Sequence, residues 1–425
     1  MALVRDMETD YLSASARLLC DCLSQHDDRV SRERLARLSP DAWQSLLATS
    51  HVQKVSALLY HRLVSRGWVA AVPPAALTVA QRACRETAAV NLRLYGELAA
   101  VTAALRARDI PVIVLKGAHV ASAVWGDASL RQMGDIDLLV HAHDLERAAE
   151  VVTAQGYALH GPYRMAAILK TSHQLPAFVK PGGATIELHW NIVPPGLACA
   201  VDPGELWERA TPAGIPGIAA RGLGPEDLLL HLCLHTSYQH LFGFGLQPSC
   251  DIAETIRRYR DTLDWPRVTA NVRRWKSGPG VYLALRVAAD LVGAAVPDAI
   301  LEDLRPVAFD EALLTEAAAQ IFDGTEISMV IPRHLAQGWA GAGLGAWLAG
   351  FVIFLRRLCV SPRELATLYD VAPDSPRAYL YYPVRLKHLV STQWVMARAL
   401  WREHPQAAPT ARRKARLATW LGASG

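Results

Sequence analysis

Residues 111–140 read PVIVLKGAHVASAVWGDASLRQMGDIDLLV, and the rest of the chain is organised around them. The apolar run Val112–Leu115 stops at Lys116 and Gly117, which predicts a buried strand that runs into a tight turn. Ala118–Trp125 then predicts a short helix. The first half of the stretch is therefore a strand, a turn and a helix.

A second strand begins at Gly134 and carries two acidic side chains. Side chains alternate between the faces of a strand, so Asp135 and Asp137 share one face and apolar residues fill the other. Two neighbouring carboxylates repel each other. Such a pair persists easily only if both side chains are exposed or if a cation lies between them. Mg²⁺ prefers oxygen ligands of this kind and takes its other ligands from water and substrate phosphates.

The residues before this strand suit a phosphate group. Gly117 lacks a side chain, so the backbone can approach a ligand closely, and the helix that follows directs backbone N–H groups at an anion. Lys116 and Arg131 add positive charge. The alternative for Lys116 is a solvated lysine at a strand end. The alternative for Arg131 is an ion pair to Asp127 or Asp135.

A third carboxylate, Glu187, lies on the predicted strand Ala184–Trp190, where Thr185 and His189 share its face. Glu187 is interpreted as a metal ligand or as the base that takes the acceptor's proton, with a solvated strand residue as the alternative. His189 either contacts substrate and the neighbouring ligands or is a satisfied polar residue of the sheet. Three acids on neighbouring strands, beside a glycine turn with a lysine, favour metal-assisted nucleotidyl transfer.

The combined pattern resembles the DNA polymerase β-like nucleotidyltransferase superfamily, and in particular the bacterial family called uncharacterised nucleotidyltransferase. The residues that carry the resemblance are Lys116, Gly117, Arg131, Gly134, Asp135, Ile136, Asp137 and Glu187. Many superfamily members have Gly-Ser or Gly-Gly-Ser in the phosphate turn. The Lys-Gly-Ala sequence of this chain is similar to that of toxin-like members.

The resemblance implies an α+β fold in which a small mixed polymerase β-like sheet is flanked by N-terminal and C-terminal helical regions. It implies an enzyme that moves an NMP from an NTP, with ATP as the first candidate, to a hydroxyl acceptor and releases pyrophosphate. Mg²⁺ or Mn²⁺ would be held by the catalytic residues Asp135, Asp137 and Glu187. The implied nucleotide-binding residues are Lys116, Gly117, Arg131, Gly134 and His189.

Neither fold nor motif names the acceptor. Members of the resembling family often look like accessory enzymes of secondary-metabolite or modified-peptide pathways, so we expect a small molecule or peptide acceptor in a bacterial biosynthetic pathway. The similarity to toxin-like enzymes makes tRNA or protein the alternative acceptor. The rival interpretations are a non-catalytic nucleotide-binding protein and a membrane-peripheral assembly protein.

Composition sets broad limits. The chain has 425 residues, with 51% hydrophobic and 20% charged residues, which describes a globular protein. A net charge of +4 is too small to argue for nucleic acid. Seven scattered cysteines without a C-x-x-C motif, and an N-terminus without a signal-peptide core, predict a reduced, cytoplasmic setting.

We expect four regions along the chain: an N-terminal helical cap, the catalytic core, a helical nucleotide- and acceptor-binding region that opens with a connector at 196–225, and a C-terminal helical region with a basic tail. Their boundaries are 1–108, 109–195, 196–330 and 331–425.

Three features stand outside the motif. His231, Cys233 and His235 offer a zinc interpretation, but Cys233 does not share the helix face of the two histidines, so helix packing or contact of one histidine with the nucleotide is favoured. Gly338–Leu355 has no charged residue but is rich in Gly and Ala, which favours a buried or membrane-surface helix over a span. The basic run 412–416 is interpreted as a solvated tail, with RNA or an anionic membrane as the alternative partner.

Overall fold

A computed structural model describes residues 12–159, 165–307, 309–323, 362, 365, 375–387 and 407–423. It has helices on both sides of a mixed seven-stranded sheet, which agrees with the predicted α+β class. Gly338–Leu355 lies outside the described residues. Within the described ranges, every helix is too short or too polar to cross a membrane.

Within the described residues, five α-helices precede the sheet, and local capping sets the start of the third. The sequence predicts Ser39 as an N-cap with Pro40 at the first helical position, and Ser39 Oγ does accept a hydrogen bond from the backbone N–H of Ala42 at 3.2 Å. The sequence also predicts a long helix over 76–108, and the fifth helix has 33 residues and leads into the sheet. The five are α1 Ala14–Leu23, α2 Arg32–Ala36, α3 Pro40–Val52, α4 Ser56–Ser65 and α5 Pro74–Arg106.

One sheet contains β1 Ile113–Val114, β2 Asp135–Leu139, β3 Ala158–Leu159, β4 Phe178–Val179, β5 Thr185–His189, β6 Thr211–Pro212 and β7 Arg221–Gly222. The strand order is β3-β4-β5-β2-β1-β7-β6. The two longest strands, β2 and β5, are parallel neighbours at its centre, with Asp135 opposite Thr185 and Asp137 opposite Glu187. The two predicted acidic strands therefore lie side by side.

The sequence Pro181-Gly182-Gly183 predicts a hairpin turn before Glu187. The hairpin is present, since β4 and β5 pair in antiparallel register and Gly182 has a φ of +70° in the turn between them. The connector expected at 196–225 holds more structure than predicted. It contributes one helix and both β6 and β7, and β7 pairs in parallel with β1. The helices among the strands are α6 Lys116–His119, α7 Leu145–Ala154, α8 Met165–Thr171 and α9 Pro203–Arg209.

Two local predictions were wrong. The predicted tight turn at Lys116 and Gly117 is the first turn of α6, which continues as a π-helical turn through Val124. The sequence also predicts Asp144 as the cap of a helix that runs to Gln155. Asp144 does precede α7, but its side chain makes no capping hydrogen bond. It accepts a hydrogen bond from Arg147 Nη1 at 2.6 Å instead, because the Asp144 backbone is already helical.

After the sheet, the described residues include the helices α10 Pro225–Leu234, α11 Gln247–Arg258, α12 Trp265–Arg274, α13 Gly278–Val292, α14 Asp298–Leu304, α15 Ala312–Asp323 and α16 Ala407–Ala423. The predicted solvated basic tail lies on α16, which packs on α15. Arg413 pairs with Asp323 at 2.9 Å, Arg416 pairs with Glu316 at 2.8 Å, and Lys414 is buried. The solvated-tail interpretation was therefore wrong for this helix.

Helix α13 approaches the end of α10 closely at Gly280. A side-chain carbon at Gly280 would lie 2.2 Å from Cε2 of Tyr238 and 2.7 Å from Oγ of Ser237. The Gly280 N–H donates a long hydrogen bond of 3.4 Å to the Tyr238 hydroxyl. Only a residue without a side chain permits this approach.

We expect Gly280→Ala to lower the free energy of unfolding by about 1–3 kcal/mol, the usual cost of overpacking a core. Gly278→Ala is the matched control on the same helix, because its added carbon would meet only Val272 Cγ1 at 3.9 Å. Thermal unfolding of both variants measures the difference. Equal Tm values for the two would show that the contact relaxes without cost.

Candidate functional site

A cavity of about 510 Å³ opens beside the central strands, where α6, α10, α11 and the turn between α3 and α4 converge. Asp137 and His189 are buried against its wall, and Gly134 directly precedes β2. Five of the predicted site residues line the cavity itself: Lys116, Gly117, Arg131, Asp135 and Glu187. The fold therefore brings together residues from two strands, from helix α6 before them and from the segment that joins α6 to β2.

Asp137 is the most enclosed acid of the site, with a side chain that is 0% exposed. Its Oδ1 atom lies 3.0 Å from His189 Nε2 and 3.3 Å from Lys116 Nζ. Burial opposes ionisation, but the Lys116 ammonium and the His189 hydrogen bond outweigh it and hold the pKa of Asp137 well below its usual range. The carboxylate is therefore ionised at neutral pH.

Glu187 faces Asp137 across the parallel strand pair and is held by two side chains. Gln174 Nε2 donates a hydrogen bond of 2.8 Å to Glu187 Oε2, and His189 Nε2 lies 3.5 Å from the same oxygen. Burial opposes the charged form of His189, but its bonds to Asp137 and Glu187 raise its pKa above the ordinary value. His189 therefore links the two acids as a shared proton donor.

Asp135 stands at the cavity surface beside Gly117. Repulsion from Asp137, followed by burial, raises the pKa of Asp135 to about 6. A side-chain carbon at Gly117 would lie 3.8 Å from Arg131 Nη1 and 4.0 Å from Asp135 Oδ1. Gly117 therefore leaves a concave space between a guanidinium and a carboxylate.

Arg131 forms an ion pair, but its partner is neither of the two acids considered from the sequence. Its Nε donates to Asp251 Oδ2 at 2.9 Å, and its Nη2 lies 2.9 Å from the same atom. Trp125 Nε1 donates to Asp251 Oδ1 at 2.9 Å. Asp251, from α11, therefore fixes the guanidinium and leaves its Nη1 edge with only weak contacts of 3.4 Å.

The histidines of α10 and of the segment after it surround Lys116 but stay neutral. Lys116 Nζ donates to His235 Nε2 at 3.1 Å, and His240 Nε2 lies 3.0 Å from the same ring nitrogen. Burial lowers the pKa of His235 well below its ordinary value and that of His240 to about 3. A charged imidazole here would repel Lys116.

The described residues include one grouping with metal-ligand geometry, formed by single atoms of Asp137, Glu187 and His189 that all lie within 4.8 Å of one another. In the described part of the chain, His231, Cys233 and His235 form no such grouping, so the structure does not support a zinc site on α10. Asp137 Oδ2 is buried without a hydrogen-bond partner there, and an unpaired buried anionic oxygen is costly. The carboxylate oxygens of this grouping suit a divalent cation such as Mg²⁺ or Mn²⁺, while His189 donates its Nε2–H to the acids and supports them.

Sequence reasoning missed several residues that line the cavity. Lys54 reaches it from the turn between α3 and α4, and Gln247 from the start of α11. Their positions depend on tertiary packing, so no spacing in the sequence reveals them. The segment LFGFG at 241–245 did carry a signal, because its glycines mark a loop after a long helix. The other missed lining residues include His173, Gln174, Tyr238, Gln239, His240 and Phe244.

Comparison with known proteins gives one match. The family described as uncharacterised nucleotidyltransferase matches residues 39–293 of the chain. The matched range begins at the cap of α3, ends just after α13 and includes every residue that lines the cavity. No curated protein and no solved structure matches the chain.

We expect Asp251→Asn to lower the free energy of unfolding by about 3 kcal/mol, because it leaves Arg131 with a broken, nearly buried ion pair. Asp261→Asn is the matched control, since that side chain is 83% exposed beside Arg260 and its loss should cost less than about 1 kcal/mol. Denaturant titration measures both. If the two variants unfold at the same midpoint, Asp251 does not hold the site together.

Proposed function

This chain belongs to the uncharacterised nucleotidyltransferase family and is a transferase, and from that membership we propose that it moves an NMP from an NTP to an acceptor hydroxyl in a reaction that needs a divalent metal. We further propose that the sheet is a polymerase β-like core, with β2 and β5 as its acidic strands. The observation that carries the proposal is the buried Oδ2 of Asp137, which has no hydrogen-bond partner among the described residues and belongs to a residue in register with Glu187.

Asp135, Asp137 and Glu187 would hold Mg²⁺ or Mn²⁺, with His189 supporting the two inner acids. When bound, the metal neutralises charge on the reacting phosphate and eases ionisation of the acceptor hydroxyl. A cation also suits the electrostatics of Asp135, because the repulsion from Asp137 that raises its pKa would be relieved. Glu187 keeps its second role as the alternative base for the acceptor's proton.

The nucleotide contacts follow from the same geometry. The Nη1 edge of Arg131 and the concave space at Gly117 face each other beside Asp135, which suits a phosphate oxygen. Lys116 forms an ion pair with Asp137 and a hydrogen bond with His235. Its charge would therefore attract the triphosphate electrostatically while the ammonium group keeps these two partners. Such groups are fixed before substrate arrives, which is the arrangement that stabilises charge most effectively.

ATP is the first candidate donor, and a small molecule or a peptide is the first candidate acceptor. A cavity of about 510 Å³ has the size of a small-ligand site, which supports an acceptor that enters the same opening as the nucleotide. Transfer to tRNA or protein is the alternative. A non-catalytic nucleotide-binding protein is the rival, and the presence of all three acids argues against it.

The test is transfer of label from each of four α-labelled NTPs to a cell extract, with Mg²⁺ or Mn²⁺ present. The variant Asp135→Asn/Asp137→Asn should lose transfer by a factor of about 1,000 or more, as expected when catalytic groups are removed. Asp261→Asn, far more exposed, is the matched control. Transfer that persists in the double variant, or wild-type protein that binds no NTP with metal, would contradict the proposal.

We also expect metal affinity to rise with pH. Asp135, with a pKa of about 6, carries a proton at pH 5 that a metal ion must displace, whereas at pH 7.5 it is ionised. Mn²⁺ should therefore bind about tenfold more weakly at pH 5 than at pH 7.5, since one proton is released. Calorimetry at the two pH values measures this. Mn²⁺ binding that does not change with pH would remove Asp135 from the ligand set.

A further inference from the structure

We propose that Lys54 and the Nη1 edge of Arg131 form an anion subsite that binds the distal phosphates of the NTP. This inference rests on the proposed function and assigns part of the same cavity. It gives the N-terminal helical region a direct role in substrate binding, because Lys54 lies between α3 and α4 and far in sequence from the acidic strands.

The position of Lys54 is set by the turn that carries it. Its backbone has a φ of +59°, and its N–H donates to the His51 carbonyl at 3.0 Å. The preceding Gln53 is buried against Gly245, where an added carbon would lie 3.3 Å from Gln53 Oε1. The Lys54 side chain lines the cavity, with Nζ lying 4.2 Å from the centre of the Phe244 ring. Two elements therefore hold this ammonium over the cavity.

Lys54 differs from the other cationic side chains of the cavity in its partners. Among the described residues, three cationic side chains line the cavity, and two of them already have carboxylate partners: Lys116 pairs with Asp137 and Arg131 pairs with Asp251. Within the described residues, the Lys54 ammonium has the Phe244 ring as its partner and forms no ion pair. A cation–π contact alone is weak compensation for a partly buried charge. The incoming anion is the partner that this lysine lacks.

Electrostatics place the subsite next to the proposed metal ligands. Burial lowers the pKa of Lys54, the charge of Asp135 opposes that effect, and the charge of Arg131 adds to it. Lys54 therefore lies within electrostatic range of both side chains. An anion between Lys54 and Arg131 relieves their mutual repulsion. A polyphosphate fits, because it can reach this pair of cations while its first phosphate stays beside Asp135.

Backbone strain is concentrated at the same place. Of the five non-glycine residues with positive φ in the described part of the chain, Lys54 lines this cavity. Leu241 and Phe242 are two others, and they lie in the loop between His240 and Phe244, which both line it. Such conformations cost free energy and persist where the surrounding structure holds them, often at ligand sites. The strained turn and the strained loop face each other through Lys54 and Phe244, so both support the proposed subsite.

The test compares binding of ATP, AMP and tripolyphosphate by calorimetry with Mg²⁺ present. In Lys54→Met, affinity for ATP and tripolyphosphate should fall about tenfold or more, the loss expected for one charge-assisted contact, while AMP affinity changes less than about twofold. Lys54→Arg should restore most of the loss. Lys276→Met is the matched control, because Lys276 has a φ of +53° but is exposed.

Lys54→Gly guards against misfolding, because glycine adopts positive φ without strain and should fold at least as well. It should show the same selective loss of polyphosphate binding. The inference is overturned if Lys54→Met or Lys54→Gly binds ATP as the wild type does, or loses AMP equally. It also fails if the wild type binds neither ATP nor tripolyphosphate. Lys54-dependent tripolyphosphate binding without any NMP transfer would support the subsite and refute the proposed function.

Discussion

The buried carboxylate of Asp137 is the constraint on which the rest of the site depends. One of its oxygens contacts His189 and Lys116, and the other has no partner among the described residues. An isolated charge in such a place would cost several kcal/mol, so the surrounding cations are a condition for the fold as well as for the chemistry. The parallel register of β2 and β5 provides His189, and the first turn of α6 provides Lys116. The charge of Asp137 is therefore stabilised only when β2 and β5 are paired as they are here.

A second set of contacts keeps the cations in place. Asp251 on α11 holds Arg131 with two hydrogen bonds and accepts a third from Trp125, while His235 accepts a hydrogen bond from Lys116. Because the histidines around Lys116 are neutral, they add no positive charge that would compete with it. A substrate phosphate thus meets groups that are already oriented, which reduces the reorganisation that binding and reaction require.

The sequence predicted those parts of the site that depend on short-range periodicity. Alternation along a strand placed Asp135 and Asp137 on one face, and the hairpin before Glu187 placed it on a neighbouring strand. The partner of Arg131 lies 120 residues further along the chain, and Lys54 lies on a turn between two N-terminal helices, so only packing brings them together. β6 and β7 have two residues each, which is too short for a periodic pattern to appear. The π-helical turns after α6 and α10 were not predicted either, because a search for the 3.6-residue period of an α-helix does not distinguish them from α-helix.

The most direct test of this account is a crystal structure grown with Mn²⁺ and a non-hydrolysable ATP analogue, with data collected for the anomalous signal of manganese. We expect a manganese peak at about 2.1 Å from carboxylate oxygens of Asp135, Asp137 and Glu187, with the α-phosphate of the analogue completing the coordination. A triphosphate bound in the cavity with no metal at these carboxylates would contradict it, as would a manganese peak elsewhere in the molecule.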